Sequence, residues 1–127
     1  MDRDTTADRG GHSRILKKLE SGAIDILIGT QMIAKGLHFP NVTLVGVVYA
    51  DLSLHLPDFR AGERTYQLLA QVAGRAGRST LGGEVIVQTL HEGEPAIQFA
   101  SHHDYSGFAA SELPLRKDAM TPPYTRM

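Results

Sequence analysis

The sequence predicts an α/β fold with a mostly parallel β-sheet flanked by helices. Strand-like and helix-like segments alternate along the 127 residues, as they do in doubly wound sheets. The run Val42 to Ala50 is nearly all apolar, the pattern of a strand covered on both faces in a parallel sheet.

The elements follow in order. Asp2 to Gly11 is polar and glycine-rich, a loop or a poorly ordered terminus. From Ser13 to Glu20, Ile15, Leu16 and Leu19 recur at helical spacing, and Gly22 supplies a stop. Ile24 to Ile28 reads as a short strand ended by Gly29-Thr30. Gln31 to Lys35 is a short helix or turn, broken at Gly36 and Pro40. Asp51 closes the Val42 to Ala50 strand, and Leu52 to Phe59 is a loop containing Pro57. Arg60 to Ala76 is the longest helical pattern, with Leu68, Leu69 and Val72 as its buried stripe. Glu84 to Leu90 is a further strand, introduced by Gly82-Gly83. Two shorter helices are expected near Glu94 to His102 and Tyr105 to Leu113, with Pro114 as a break. Thr121 to Tyr124 is expected to be extended.

Composition narrows the function classes. This length suits one domain with a real core. A net charge of -1 excludes a generally basic protein, so any nucleic-acid contact has to come from a local patch. Without cysteine there is neither a disulfide framework nor a cysteine-based zinc site in these residues. No apolar run approaches the roughly 20 residues of a membrane span, and no secretory signal pattern opens the chain. A cytoplasmic protein without membrane contact is the expectation.

The most specific feature is the run Gln71-Val72-Ala73-Gly74-Arg75-Ala76-Gly77-Arg78. Residues three apart share a helix face, so Arg75 and Arg78 can reach one anion. Their planar guanidinium forks match phosphate oxygens in bidentate fashion. Each helical glycine costs roughly 1 kcal/mol against alanine. Two of them beside two arginines suggest that a ligand approaches the backbone closely. The plainer alternative is a frayed helix end with a solvated basic face. In a doubly wound sheet, ligands bind outside the carboxyl ends of the strands. Thr30 to His38, Asp51 and the arginine pair all fall at that edge.

The stretch Ile26 to Val45 resembles motif V of superfamily 2 helicases, and Gln71 to Arg78 resembles their motif VI. The connecting run Leu56 to Leu69, with Met1 to Thr6 and Pro122-Pro123-Tyr124, is similar to the PriA family of primosomal replication-restart helicases. This resemblance covers essentially the whole chain. It implies the second RecA-like lobe of an ATP-dependent 3′–5′ DNA helicase, with residues 104–127 leading toward a further C-terminal domain. The sequence holds no GxxxxGK[ST] phosphate loop and no acidic magnesium motif, which the family carries on its first lobe. A fragment of a larger helicase, inactive alone, is therefore expected.

The resemblance also implies roles. Arg78 matches the arginine finger facing the γ-phosphate, Arg75 its partner on the same phosphates, and Gln71 the start of the motif at the lobe interface. Gly36 and His38 match the nucleotide-facing end of motif V, where many relatives carry aspartate instead of His38. Thr30, Gln31 and Lys35 match positions near the nucleic-acid backbone. ATP and magnesium would be bound together with the missing first lobe. Zinc belongs to an insertion that this chain lacks. Implied partners are single-stranded and forked DNA, the first helicase lobe, primosome proteins and single-strand-binding proteins. Plainer readings stand beside these: Thr30 as a helix cap, Lys35 as a surface charge, His38 as a packed loop residue. Asp58, Arg60, Glu63 and Arg64 suit a structural charge network near the motif VI helix. Two rivals remain: another superfamily 2 repair motor, and a non-catalytic DNA- or partner-binding module.

Overall fold

The computed structural model describes residues 10–34, 41–76 and 82–126. In chain order the helices are α1 (Gly11–Glu20), α2 (Ala61–Ala76), α3 (Pro95–Ser101) and α4 (Tyr105–Asp118). The strands among the described residues are β1 (Leu44–Val47) and β2 (Glu84–Val87). Short 3₁₀ turns lie at Gln31–Ala34 and Ala50–Ser53.

β1 and β2 pair in parallel, with Leu44 opposite Glu84 and Val47 opposite Val87. Parallel neighbours need a crossover; α2 supplies it and packs against both strands. The chain is therefore α/β with a parallel sheet and helices against it, as its sequence predicts.

α2 forms where expected. Its buried side is Ala61, Thr65, Leu69, Val72 and Ala76, a spacing of three and four residues. Tyr66 is buried beside that stripe. Leu68, expected inside, is only half-buried. Thr65 is tolerated in the interior because its hydroxyl donates to the Ala61 carbonyl at 2.9 Å. The helix start is prepared by Asp58. Its carboxylate accepts from the Arg60 N–H at 2.9 Å, and its carbonyl accepts from the Ala61 N–H at 2.9 Å. The core combines Ala50, Tyr66, Leu69, Ala96, Ile97, Ala100 and Phe108, with Val47 and Val87 packed against it. Phe108 stacks on Tyr66 with centroids 4.8 Å apart, which brings α4 onto α2.

Four expectations are corrected. Ile24 to Ile28 is not a strand among the described residues: Ile26 and Ile28 are 78% and 80% exposed, and β-branched residues favour strands chiefly where a half-buried pleated surface receives them. The Val42 to Ala50 strand shortens to Leu44–Val47 and is covered on one face, with Leu44 and Ile86 more than half exposed on the other. Pro114 does not end its helix. α4 runs through it to Asp118, because proline removes one backbone donor while Phe108 and Arg116 hold the helix on either side. Thr121 to Tyr124 is a turn, closed by the Tyr124 N–H to the Thr121 carbonyl at 3.1 Å across a cis Pro122-Pro123 bond.

Candidate functional site

The 3₁₀ turn Gln31–Ala34, which carries the motif V-like residues, packs against α2, which carries the start of the motif VI-like run. The turn begins at Thr30, whose carbonyl accepts from the Ile33 N–H at 3.1 Å. Between turn and helix lies an open groove of about 750 Å³, lined among others by Gln31, Ser53, Arg64, Gln67, Gln71 and Tyr105. Arg64, Gln67 and Gln71 recur at helical spacing, and Arg75 follows four residues later on the same stripe. Gln31 and Gln71, assigned to different ligands by the sequence, thus face one groove. Thr30 and Gln31 are exposed, as is Gln71.

For Arg75 the structure describes the helical backbone position in the last turn of α2. Lys35, Gly36, His38 and Arg78 lie outside the described residues. Gly74 has no described atom within 4 Å of where a Cβ would stand, so the helix surface beside Arg75 is open to a close approach. Gly83 is the opposite case. A Cβ there would overlap the Ala76 carbonyl, so the start of β2 meets the end of α2 backbone to backbone.

Asp51 does more than close a strand. It is fully buried just beyond the carboxyl end of β1, accepting from the Leu90 N–H at 2.7 Å and from the Thr89 hydroxyl. It thereby ties the end of β1 to the end of β2. The hydrogen bond from Leu90, then that from Thr89, holds its carboxyl below the usual carboxylate range; burial opposes this, and His91, 3.6 Å away, adds to it. The residue before the turn, Tyr49 at φ 56°, adopts the left-handed conformation that aims Asp51 inward. The sequence reading noted Asp51 by its position at the strand end but not its partners, which lie 38 and 39 residues away.

The four charged residues expected to form one network near α2 divide, and the Arg60 guanidinium lies 5.1 Å from the centre of the Phe59 ring. Arg64 pairs with Asp58 at 2.9 Å. Glu63 pairs with Arg116 of α4 at 2.7 Å, a partner that sequence reasoning missed. Burial works against the Arg116 charge, but hydrogen bonds to Glu63 and Glu112 outweigh it and hold the guanidinium above its ordinary value.

Comparisons place this geometry. Residues 4–80 match the helicase conserved C-terminal domain family. Replication restart protein PriA of Bacillus subtilis is 53% identical over 124 residues, covering 98% of this chain and 15% of that protein. The PriA proteins of Chlamydia muridarum and Synechocystis are 49% and 47% identical over 127 residues, the whole of this chain and 17% and 15% of the respective proteins. The chain thus spans about a sixth of the length of these relatives. No helix among the described residues is long and apolar enough to cross a membrane. With a parallel βαβ unit and these matches, the chain belongs to the helicase conserved C-terminal domain family, a RecA-like lobe similar to the matching segment of replication restart proteins PriA.

Proposed function

We propose that the chain is the second motor lobe of an ATP-dependent DNA helicase that restarts replication, acting 3′ to 5′ on single-stranded and forked DNA in the cytoplasm. The supporting observation is the packing of the Gln31–Ala34 turn on α2, which sets Gln31 and Gln71 on one groove. In this reading the α2 end supplies half of an interlobe nucleotide site. Gln71, Gly36 and His38 face the nucleotide. Arg75 and Arg78 approach its phosphates, where charge grows as the γ-phosphoryl group leaves. A finger of this kind is worth roughly 10³–10⁵ in rate in GTPases. Thr30, Gln31 and Lys35 hold the DNA backbone; a hydroxyl, an amide and a cation suit phosphate contacts, which position a strand without reading its sequence. The first lobe brings the phosphate loop and the carboxylates for magnesium, and ATP hydrolysis then alternately closes and opens the cleft.

The chain alone is therefore expected to hydrolyse no ATP. Phosphate release is measured from the purified chain with single-stranded DNA. Turnover that persists through purification and vanishes in Arg78→Ala would refute the two-lobe site.

A further inference from the structure

Both ends of α2 are held, and the hold at its start does not come from the apolar core. The Arg116 side chain, 12% exposed, donates from one terminal nitrogen to Glu63 Oε2 at 2.7 Å. Its Nε donates to Glu112 Oε1 at 3.2 Å, and its other terminal nitrogen to the Pro122 carbonyl at 3.5 Å. Its guanidinium carbon lies 5.3 Å from the centre of the Phe59 ring, just upstream of α2. One planar group thus joins the first turn of α2, the last turns of α4, the Thr121 to Tyr124 turn and the segment entering α2. The two helices meet at Gly62, where a Cβ would stand in ordinary contact, 3.5 Å from Glu112 Oε2 and 3.8 Å from Phe108 Cζ.

Apolar contact and this clamp do different things. Phe108 stacked on Tyr66 supplies non-directional burial, which leaves a helix free to slide or rotate by small amounts. A guanidinium with three acceptors fixes direction as well as distance. Buried ion pairs add little stability over well-packed apolar groups. What this one adds is geometry, and the geometry it sets is that of the helix bearing Gln71 and Arg75.

We infer that Arg116 is a positioning residue for Arg75: through Glu63 it sets the pose of α2, and hence of the Arg75 backbone, against the nucleotide. This rests on the proposed motor-lobe function. A small displacement of a charged group from its transition-state position has a large effect on rate. Loss of the clamp therefore lowers kcat more than ATP binding.

The test uses the Bacillus subtilis relative with its matching segment replaced by this chain. Steady-state ATP hydrolysis with single-stranded DNA and thermal unfolding are measured for the parent chimaera, Arg116→Lys and Phe108→Leu. Lysine keeps the charge and three donors but gathers them on one nitrogen, and so loses the planar fork that reaches Glu63, Glu112 and the Pro122 carbonyl from three separate nitrogens. Arg116→Lys is expected to lose about tenfold or more in kcat, with KM for ATP within about threefold and melting within a few degrees of the parent. Phe108→Leu, which loosens the core and leaves the fork, is expected to melt lower and keep the parental kcat. Should Arg116→Lys not fold, Glu63→Gln is read in the same way. Parental kcat in the fork variant that folds overturns the inference. So does a loss of kcat that simply follows melting temperature across the set. A parent chimaera that folds and hydrolyses no ATP removes the motor-lobe reading itself.

Discussion

At the scale of single residues, the clearest chemistry is that of Asp51 and of the two arginines. The depressed Asp51 carboxyl means that its hydrogen bonds to Leu90 and Thr89 favour the charged form. The linkage sign follows. The stabilisation is complete above the unfolded-state value near 3.8 and is lost as pH falls through the lower folded-state value. Asp51→Asn keeps the shape and removes the charge. We expect it to unfold more easily at neutral pH, and its stability to fall less than the parent's between about pH 5 and pH 2. Chemical denaturation across that range checks this; parallel curves for the two proteins would contradict it. At the site, Arg75→Ala is expected to abolish hydrolysis in the chimaera. His38→Asp is expected to stay within about tenfold, roughly 1.4 kcal/mol on the barrier. Side-by-side rates test that order, and equal losses would move His38 among the catalytic groups.

Among the elements, α2 matters most, and its glycines separate stability from function. Gly74 lies inside the helix with open space where a Cβ would stand. Gly74→Ala is therefore expected to stabilise the isolated chain by about 0.5–1 kcal/mol, since alanine restricts the unfolded backbone and suits a helix. In the chimaera the same change is expected to lower hydrolysis, because the methyl stands where the ligand approaches. A variant that is both more stable and fully active would remove the close-approach argument. Gly83→Ala should destabilise instead, by forcing β2 away from the Ala76 carbonyl; thermal unfolding shows which sign holds. α2 was legible because sixteen residues repeat one period, enough for the pattern to outweigh local propensity. The Ile24 to Ile28 strand was misread because strand formation depends on a neighbour, which a run of isoleucines does not reveal. α4 was cut short on the evidence of Pro114, although contacts on either side decide whether a helix survives one missing donor. The clamp was invisible for a related reason. Glu63 and Arg116 are 53 residues apart, and nothing local pairs them. The resemblance to a helicase family was legible as sequence; that Gln31 and Gln71 share a groove needed the fold.

For the whole molecule, the parallel βαβ unit and the family match agree on a helicase lobe, while the proposed nucleotide chemistry requires a second one. Half a site should bind poorly. The isolated chain is expected to hold single-stranded DNA weakly, with an affinity that drops steeply as salt rises, because only phosphate contacts are available. A salt titration of fluorescent oligonucleotide binding tests this, and salt-independent binding would favour a DNA- or partner-binding module over a motor lobe. The central claim is that this chain supplies the trigger half of an ATP-hydrolysing cleft. Its most direct test is DNA-stimulated phosphate release by the Bacillus subtilis chimaera, with and without Arg78→Lys. The account predicts a chimaera within about tenfold of the natural relative and a lysine variant at least about a hundredfold slower with DNA binding retained. A folded but inert chimaera, or a lysine variant at the parental rate, would contradict it.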